Sequence, residues 1–391
     1  MGMNQHTDPT EAADQRLHVV MAAGGTGGHI YPALAVADHL RTLDPTMRIT
    51  FSGTKRGMES DLIPRNGYDF APVRVIPFSR QEGWKRYLVP FILLSSAVQS
   101  AVKFRRDRVD LVIGMGGYPS MPAVLGAWFA GIPRLLHESN AIPGKANKFA
   151  LTFTQNLGVV FAEVEGRKRG PKHDVRVVGL PIREAEQAPL GNGTPRLRER
   201  LGLTATDRLV VVSGGSAGAV NLTNAAMEAA STCRTANDTV FLIKTGGQDF
   251  DRAAEKQASL PVGAKLHLIA HIDDMNDAYE SADLFISRAG AASIAELSQN
   301  AVPSILVPYP WAADDHQRHN AQAMVAKGAA VMLEDADLAE GKLAGLIYDL
   351  LSAPEVLRSM SARASTDKHR HAAGHMASWA IALIKNRSNR K

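Results

Sequence analysis

The chain contains 391 residues, of which 45% are hydrophobic, 21% are charged and one is cysteine, and its formal net charge is +5. The length indicates two domains, or three, because a domain usually holds roughly 100–200 residues. The mildly basic net charge suits a phosphate-bearing ligand or an anionic membrane surface. The sequence has no zinc-ligand spacing and no basic helix with interleaved aromatic residues, which argues against nucleic acid as a ligand. The lone Cys233 excludes an intramolecular disulfide and indicates a reducing compartment.

Residues 1–16 are polar and include a proline, and they lack the basic start and apolar middle of a signal peptide. We expect them to form a disordered leader. The sequence has no run of about 20 apolar residues, so we expect no membrane-spanning helix.

An apolar run, a glycine-rich turn and a helix pattern recur along the chain at residues 17–40, 110–130, 208–230 and 283–299. The apolar runs are rich in valine, isoleucine and leucine, which is typical of parallel strands buried on both faces. Alternation of such strands with helices favours doubly wound sheets, and two of the turns fall in each half of the chain. The pattern predicts an α/β protein with two Rossmann-like domains, whose parallel sheets face one another across a cleft.

A stretch dense in glycine and proline, residues 179–195, marks the predicted seam between the domains. We place the first domain at residues 17–180, closed by a strand at residues 175–178, and the second domain at residues 181–370. The last helix pattern, about residues 371–391, is a candidate to pack back on the first domain.

Each glycine turn joins a strand to a helix, so backbone N–H groups and the positive end of a helix dipole converge there and favour phosphate. The first turn, residues 24–29, reads GGTGGH. This is neither the G-x-G-x-x-G of dinucleotide-binding folds nor the G-x-x-x-x-G-K-[ST] of P-loop enzymes. One such turn is equally consistent with a tight junction that binds nothing, but a set of four favours a shared phosphate-bearing ligand.

Six motifs occur in this order along the chain: GGTGGHIYPALAVA, GMGGYPSMP, HESNAIPGKANK, GGSAGA, SRAGAASIAE and DHQRHNA. In order and spacing they resemble the MurG family of N-acetylglucosaminyltransferases, from about residue 17 to the C-terminal helix. Ala217 in GGSAGA departs from the family, whose members often carry glutamine there, and this removes one polar contact near the nucleotide.

The resemblance implies a GT-B fold and an inverting glycosyltransferase of peptidoglycan synthesis. It implies UDP-GlcNAc as the donor and, as the acceptor, the C4 hydroxyl of MurNAc in lipid I, which hangs from undecaprenyl pyrophosphate. The product would be lipid II with a β-1,4 linkage, and no cofactor is implied. The implied location is peripheral, on the cytoplasmic face of the bacterial cell membrane, with other cell-wall and division proteins as further partners.

Three other functions are consistent with many of these features. One is a GT-B glycosyltransferase with another lipid acceptor, against which the turns GGTGGH and GMGGY argue. Another is a non-catalytic sugar-nucleotide-binding scaffold in a wall-synthesis complex, against which the retention of His29, Glu296 and Gln317 argues. The third is a UDP-GlcNAc 2-epimerase, which would need a soluble substrate and no membrane patch.

His29 closes the first turn. An imidazole with an ordinary pKa of about 6.5 is mostly neutral at pH 7 and can accept a proton. The resemblance makes His29 the leading candidate for the general base that acts on the acceptor hydroxyl. The alternative is that His29 shapes the loop or donates to acceptor phosphate, and Glu138 is then a second candidate for the base.

The resemblance also assigns residues to the two substrates. The acceptor-side residues are Gly116, Gly117 and Tyr118. The donor-side residues are Thr26, Gly27, Gly28, Asn140, Arg183, Ser216, Ile272, Ala291, Ala292, Glu296 and Gln317, with His316 as a possible neighbour of Gln317. Among them, Glu296 would hold both ribose hydroxyls, Ile272 would lie beside the uracil, and the backbone of Ala291 and Ala292 would face the diphosphate.

Several of these residues have an ordinary structural explanation as well. Ser293 and Glu296 have the S-x-x-E spacing of a capping box, which alone would explain Glu296. The other structural explanations are a packed ring for Tyr118, an Asx turn for Asn140, a surface position for Arg183, a helix cap for Ser216, a core position for Ile272 and a solvated loop for Gln317.

Asp335 and Asp337 form a D-x-D pattern, which holds a divalent metal in other glycosyltransferases. This pair follows the cluster of motifs, so we expect no metal site. Helix N-termini and backbone N–H groups would stabilise the leaving group instead.

Residues 83–108 combine an uncharged stretch of 15 residues, 88–102, with basic residues on both sides. The stretch is too short to span a bilayer, but an apolar patch ringed with basic groups suits an anionic leaflet. The alternative is a buried helix with solvated basic ends. The predicted patch consists of Trp84, Lys85, Arg86, Tyr87 and Phe91.

Overall fold

A computed structural model of the protein describes residues 16–76, 87–165, 173–183, 196–214, 219–233, 239–261, 264–366 and 368–389. These residues form two compact units. The first unit takes its described residues from Met1–Ser139, Pro143–Glu184 and His371–Lys391, and the second from Asn140–Ile142 and Ala185–Arg370. The domain limits deduced from the sequence stay a prediction.

The first unit is built on a seven-stranded sheet with the strand order β3-β2-β1-β4-β5-β6-β7. Its strands are β1 (His18–Ala22), β2 (Arg48–Gly53), β3 (Asp69–Pro72), β4 (Leu111–Gly114), β5 (Arg134–Glu138), β6 (Asn156–Val159) and β7 (Asp174–Val177). Its helices up to the seam are α1 (Gly27–Leu43), α2 (Glu59–Arg65), α3 (Val89–Arg106), α4 (Met121–Ala130), α5 (Lys145–Ala150) and α6 (Ala162–Glu165).

The second unit is built on a six-stranded sheet with the order β10-β9-β8-β11-β12-β13. Its strands are β8 (Arg208–Ser213), β9 (Thr239–Lys244), β10 (Leu266–Ile269), β11 (Leu284–Ser287), β12 (Ser304–Leu306) and β13 (Ala330–Met332). Its helices are α7 (Arg196–Arg200), α8 (Val220–Thr232), α9 (Phe250–Ala258), α10 (Met275–Ser281), α11 (Ala291–Gln299), α12 (His316–Ala326), α13 (Lys342–Leu351) and α14 (Pro354–Ala364). A final helix, α15, spans Lys368–Ser388.

All the strand pairs in both sheets are parallel. In each sheet the chain adds strands first towards one edge and then, from one switch point, towards the other edge. In the first sheet, Val19 of β1 pairs with Ile49 of β2 on one side and with Leu111 of β4 on the other. In the second sheet, β8 likewise lies between β9 and β11. The carboxyl ends of strands at such a switch point form the usual ligand crevice of open α/β sheets. The glycine turns that follow β1, β4 and β11 lie at these switch points, whereas residues 215–218 of the turn after β8 lie outside the described residues.

The helix α15 contributes apolar side chains to the core of the first unit. Met376, Ala377, Trp379 and Ala380 are buried in the cluster that contains Val19 of β1 and much of α1. A Cβ added to Gly158 of β6 would lie 2.8 Å from the Met376 sulfur, so the helix and the sheet are in close contact. The first unit therefore completes its core with the last helix of the chain.

The helices α3 and α4 pack against each other at a glycine. A Cβ on Gly126 of α4 would lie 2.6 Å from the Cβ of Ser100 and 2.8 Å from the carbonyl oxygen of Ala97, both on α3. By contrast, a Cβ on Gly345 of α13 would meet no atom within 4 Å. The two glycines are therefore a matched pair, since both lie inside helices but only one is a packing site.

We expect Gly126→Ala to lower the free energy of unfolding of the first unit by about 1–3 kcal/mol, because the new methyl group overpacks the contact with α3. Gly345→Ala should instead leave the second unit unchanged or raise its stability by up to about 1 kcal/mol, because alanine is the better helix former. Urea unfolding followed by circular dichroism measures both. A Gly126→Ala protein as stable as the wild type would contradict the close packing of α3 on α4.

Candidate active site

Two glycine turns lie side by side at the switch point of the first sheet. The first, residues 24–29, follows β1 and continues into the start of α1 at Gly27, and the second follows β4 at residues 115–118. Gly25, Gly116 and Gly117 have φ values of +89°, +93° and +76°, which favour glycine because a Cβ makes this region unfavourable. The sequence thus places glycines where the backbone needs them to turn.

The imidazole of His29 lies against the second turn. A Cβ on Gly116 would be 3.0 Å from Cδ2 of His29, and one on Gly117 would be 3.3 Å from its Nδ1. Thr26 precedes α1, and its hydroxyl oxygen lies 3.2 Å from His29 Nδ1 and makes no capping hydrogen bond to the helix. The structure therefore brings together His29, Thr26 and the Gly116–Gly117 pair, with Gly27 and Gly28 in the first turn of α1.

Tyr118 begins a short 3₁₀ helix, Tyr118–Ser120, directly after the two glycines. Its ring is within reach of the first turn, since a Cβ on Gly25 would lie 4.0 Å from Tyr118 Cε1. Of the three residues predicted for the acceptor side, Gly116 and Gly117 thus lie beside His29, and Tyr118 lies near Gly25 of the first turn.

Glu138, the second candidate for the base, organises the loop that follows β5. Its carboxylate is buried, and Oε2 accepts hydrogen bonds from the backbone N–H of Gly144 and from Asn147 Nδ2, both at 2.9 Å. Asn147 also donates to the carbonyl of His137 at 2.9 Å. These contacts favour a structural role for Glu138. The sequence does not predict this structural role of Asn147, although the residue lies within the HESNAIPGKANK motif.

His137 is fully buried beside this loop. Its Nε2 donates to the carbonyl of Gly179, 2.9 Å away, which fixes the proton on that nitrogen in the neutral ring. Burial lowers the pKa of His137 to about 4, although the bond to Gly179 opposes the shift. His137 is therefore neutral at physiological pH.

Arg183 lies in the first unit and is engaged with α1. Its guanidinium binds the carboxylate of Asp38 through Nε at 2.8 Å and Nη2 at 2.7 Å, and Nη1 donates to Asn66 Oδ1 at 2.7 Å. Asp38 also accepts a hydrogen bond from the hydroxyl of Tyr68 at 2.6 Å. Any contact of Arg183 with the donor nucleotide would need an exchange of these partners, so its predicted donor role stays a prediction.

In the second unit, α11 begins at the turn that follows β11. Gly290 precedes the helix, and Ala291 and Ala292 form its first turn, where backbone N–H groups are available to an anion. The capping box proposed for Ser293 and Glu296 is wrong. Gly290 occupies the cap position, so Ser293 lies inside the helix and cannot serve as the cap.

Glu296 is held by a tyrosine instead. Its Oε2 accepts a hydrogen bond of 2.6 Å from the hydroxyl of Tyr279, a buried residue of α10. Burial and the neighbouring Glu296 raise the pKa of Tyr279, so the hydroxyl keeps its proton and donates it. Tyr279 was missed from the sequence, because no local pattern links α10 to α11.

Asn140, Gln317 and Ile272 also belong to the second unit. Asn140 Oδ1 accepts from Nδ2 of the buried Asn320, 3.2 Å away, and Asn320 in turn accepts the N–H of Ala141 at 2.8 Å. Gln317 Oε1 accepts the N–H of Tyr309 at 2.9 Å. Ile272 is 5% exposed, after β10. Ser216 and Ala217 lie outside the described residues.

Asp335 and Asp337 each face a basic side chain. Asp335 Oδ1 lies 2.6 Å from a guanidinium nitrogen of Arg288, and Asp337 Oδ1 lies 2.7 Å from Lys342 Nζ. Within the described ranges, no three histidine, cysteine or acidic side chains are grouped so that they could hold a metal ion. The expectation of a metal-independent site stays a prediction.

The helix α3 has one buried and one exposed apolar face. The buried face, at Ser96, Ala97, Ser100, Ala101 and Phe104, packs inward. The exposed apolar residues on and just before the helix are Tyr87, Leu88, Phe91, Leu94, Val98 and Val102, with Phe91 72% exposed. Trp84, Lys85 and Arg86 of the predicted patch lie outside the described residues. No helix among the residues that the structure describes is both long and apolar enough to cross a membrane.

Two units, each built on a parallel sheet with a switch point, are consistent with the architecture of GT-B glycosyltransferases. Residues 19–159 match the glycosyltransferase family 28 N-terminal domain, and residues 209–376 match the glycosyltransferase family 28 C-terminal domain. The chain therefore belongs to glycosyltransferase family 28, and its resemblance to the MurG members of that family is confirmed by the relatives described next.

A relative from Carboxydothermus hydrogenoformans is 34% identical over 377 residues, 96% of this chain and 100% of the relative. It is named UDP-N-acetylglucosamine–N-acetylmuramyl-(pentapeptide) pyrophosphoryl-undecaprenol N-acetylglucosamine transferase. The crystal structure of Acinetobacter baumannii MurG is similar at a TM-score of 0.75 and 26% identity, covering 94% of this chain and 99% of that one. A UDP-N-acetylglucosamine 2-epimerase matches at a TM-score of 0.60 and 13% identity, over 92% of this chain and 93% of that one, so it shares the fold alone.

We expect the stability of the first unit to fall on mild acidification because of His137. Its pKa is near 6.5 when unfolded and about 4 when folded, so the unfolded state binds more protons between these values. The free energy of unfolding should therefore drop by about 2 kcal/mol between pH 7 and pH 5 from this residue. His137→Gln, which can still donate to Gly179, should remove that part of the slope in urea unfolding. The exposed His371→Gln is the control, and equal slopes in wild type and His137→Gln would contradict the assignment.

Proposed function

We propose that this protein transfers GlcNAc from UDP-GlcNAc to the C4 hydroxyl of MurNAc in lipid I and so forms lipid II for peptidoglycan. The observation that carries the proposal is the family 28 relative named for this transfer, which is 34% identical and is matched over its full length. The glycine turns at both switch points support a phosphate-bearing donor and acceptor.

The first unit would supply the proton acceptor. An inverting transfer breaks the bond between the sugar C1 and the UDP oxygen while the C4 oxygen of MurNAc forms a new bond to C1 from the opposite face. The hydroxyl must lose its proton. His29, which is partly exposed, would receive it through Nε2 in the tautomer whose Nδ1–H donates to the Thr26 hydroxyl oxygen. Glu138 is the weaker candidate, because two donors already occupy one of its oxygens.

The second unit would hold the donor. The Glu296 carboxylate can accept both ribose hydroxyls, and its hydrogen bond from Tyr279 fixes its orientation. The N–H groups at the start of α11 would face the diphosphate and stabilise the negative charge that develops on the departing UDP. On this proposal the leaving group needs no metal ion.

The acceptor is anchored in a membrane, which requires a surface that docks on one. The exposed apolar face of α3 fits this, and Lys103, Arg105 and Arg106 lie in its last turn. Trp128 and Phe129 of α4 are exposed as well, and Arg105 donates to the carbonyl of Phe129 at 2.8 Å. We therefore infer that the protein binds peripherally to the anionic cytoplasmic leaflet of the membrane, where its donor UDP-GlcNAc is available.

The transfer is tested with purified protein, radiolabelled UDP-GlcNAc and a short-chain lipid I analogue, in the presence of EDTA. We expect a disaccharide-lipid product, and we expect His29→Ala to lower kcat about 10²–10⁴-fold, the usual contribution of a general base. His267→Ala, an exposed residue on β10, is the control. No product from the wild type, with or without magnesium, would refute the transferase. A His29→Ala enzyme within threefold of wild type would refute the base.

The membrane surface is tested by vesicle sedimentation. The double variant Phe91→Ser, Leu94→Ser should bind anionic vesicles at least about tenfold more weakly, because each side chain loses apolar burial worth about 1.5–3 kcal/mol when fully inserted. Its activity on a water-soluble acceptor analogue should stay unchanged. Val356→Ser, an exposed apolar position of the second unit, is the control. Vesicle binding equal to that of the wild type would place the membrane surface elsewhere.

A further inference from the structure

A buried carboxylate lies beneath the first glycine turn. Glu59 opens α2, and its side chain has no exposed surface. The proposed transfer makes no direct use of it, and it would be unusual for a charged side chain to be buried in this way unless its hydrogen bonds were satisfied.

Glu59 binds two segments through its two oxygens. Oε1 accepts the backbone N–H of Thr54 at 2.9 Å and the hydroxyl of Thr54 at 2.6 Å. Oε2 accepts the N–H of Gly25 at 3.2 Å. The carboxylate thus joins the loop after β2 to the first glycine turn, 34 residues away in sequence.

Three glycines make room for the carboxylate. A Cβ on Gly24 would lie 2.5 Å from Glu59 Oε1, and one on Gly53 would lie 2.8 Å from Glu59 Cγ. A Cβ on Gly57 would overlap the carboxylate itself. Three glycines from different segments therefore fit around a single side chain: Gly24 of the turn, Gly53 of β2 and Gly57 of the following loop. The first glycine of GGTGGH is needed for this contact.

The carboxylate is held in its charged form. Burial would raise the pKa of Glu59, but the hydrogen bonds from Thr54 and from the Gly25 N–H outweigh burial and bring the pKa below its ordinary value. A buried anion that loses one donor is strongly penalised, so the turn is tied to the carboxylate at Gly25.

We propose that Glu59 is a positioning residue of the transferase, whose carboxylate holds the Gly25 N–H and thereby fixes the turn from Gly24 to Gly28 and the place of His29. The expected effect on catalysis rests on the proposed function. The hydrogen bond that holds the turn is a property of the first unit, and it is measured independently of transfer.

The variant Glu59→Gln replaces one of the two carboxylate oxygens with an NH₂ group. We expect the remaining oxygen to keep both hydrogen bonds from Thr54. The NH₂ group then faces the Gly25 N–H, so that two donors oppose each other. Thr54→Val is the matched control, since it removes one hydrogen bond to the same carboxylate and leaves the bond to Gly25. Glu59→Asp is the second variant, which keeps the charge but withdraws it from the turn.

We expect Glu59→Gln to lower kcat about ten- to a hundredfold, as a displaced catalytic group does, with KM for UDP-GlcNAc within twofold of wild type. For Thr54→Val, both kcat and the KM for UDP-GlcNAc should stay within threefold of wild type. Hydrogen exchange of the Gly25 amide should be faster in Glu59→Gln and Glu59→Asp, and the NMR titration of the His29 imidazole, identified with His29→Asn, should shift.

A kcat loss in Glu59→Gln no larger than in Thr54→Val, or an unchanged Gly25 exchange rate in both Glu59 variants, would overturn the inference. If the wild type shows no transfer at all, the exchange and titration measurements still decide whether Glu59 holds the turn. Failure of this hydrogen bond to hold the turn is thereby distinguished from failure of the proposed function.

Discussion

The parallel pairing of β1 with β4 is the constraint on which the first unit depends. Neighbouring strands of a sheet lie about 4.8 Å apart, so the turns that leave these two strands are forced close together. An α-helix start, two glycine turns and an imidazole then share one edge of the sheet. Side chains at Gly116 and Gly117 would fill the space that His29 uses. The glycines are thus required by the crowding that the strand order imposes.

The second unit repeats the strand arrangement with different chemistry. Its switch point lies between β8 and β11, and α11 starts beside it with small residues and no charged side chain in its first turn. The polar groups are supplied from the side, by Glu296 held by Tyr279 and by the Asn140–Asn320 pair. One architecture therefore provides backbone N–H groups at each sheet, and the surrounding side chains determine which ligand each sheet suits.

Much of this arrangement follows from the sequence, because local patterns encode local structure. The continuous apolar runs predict buried parallel strands, and the glycine turns mark where each strand ends. What local patterns do not encode is which distant residues meet. The spacing of Ser293 and Glu296 suggests a cap, but the decisive partner is Tyr279, which approaches from another helix. Likewise, Arg183 carries no local sign of Asp38, 145 residues earlier. Glu59 lies in a mostly polar stretch, and no local pattern in the sequence predicts that the folded chain buries it.

The place of α15 in the first unit has a consequence for how the protein is made. Its buried residues complete a core whose other members lie in the first half of the sequence. A ribosome releases the chain from the N-terminus, so the sheet of the first unit is synthesised long before the helix that covers it. During that interval the apolar surface that Met376 and Trp379 later cover is open to water or to a chaperone. The second unit is contiguous in sequence apart from Asn140–Ile142, so its core does not depend on a helix synthesised much later. The first unit, whose strands are synthesised first, therefore cannot complete its core until the last helix of the chain has been made.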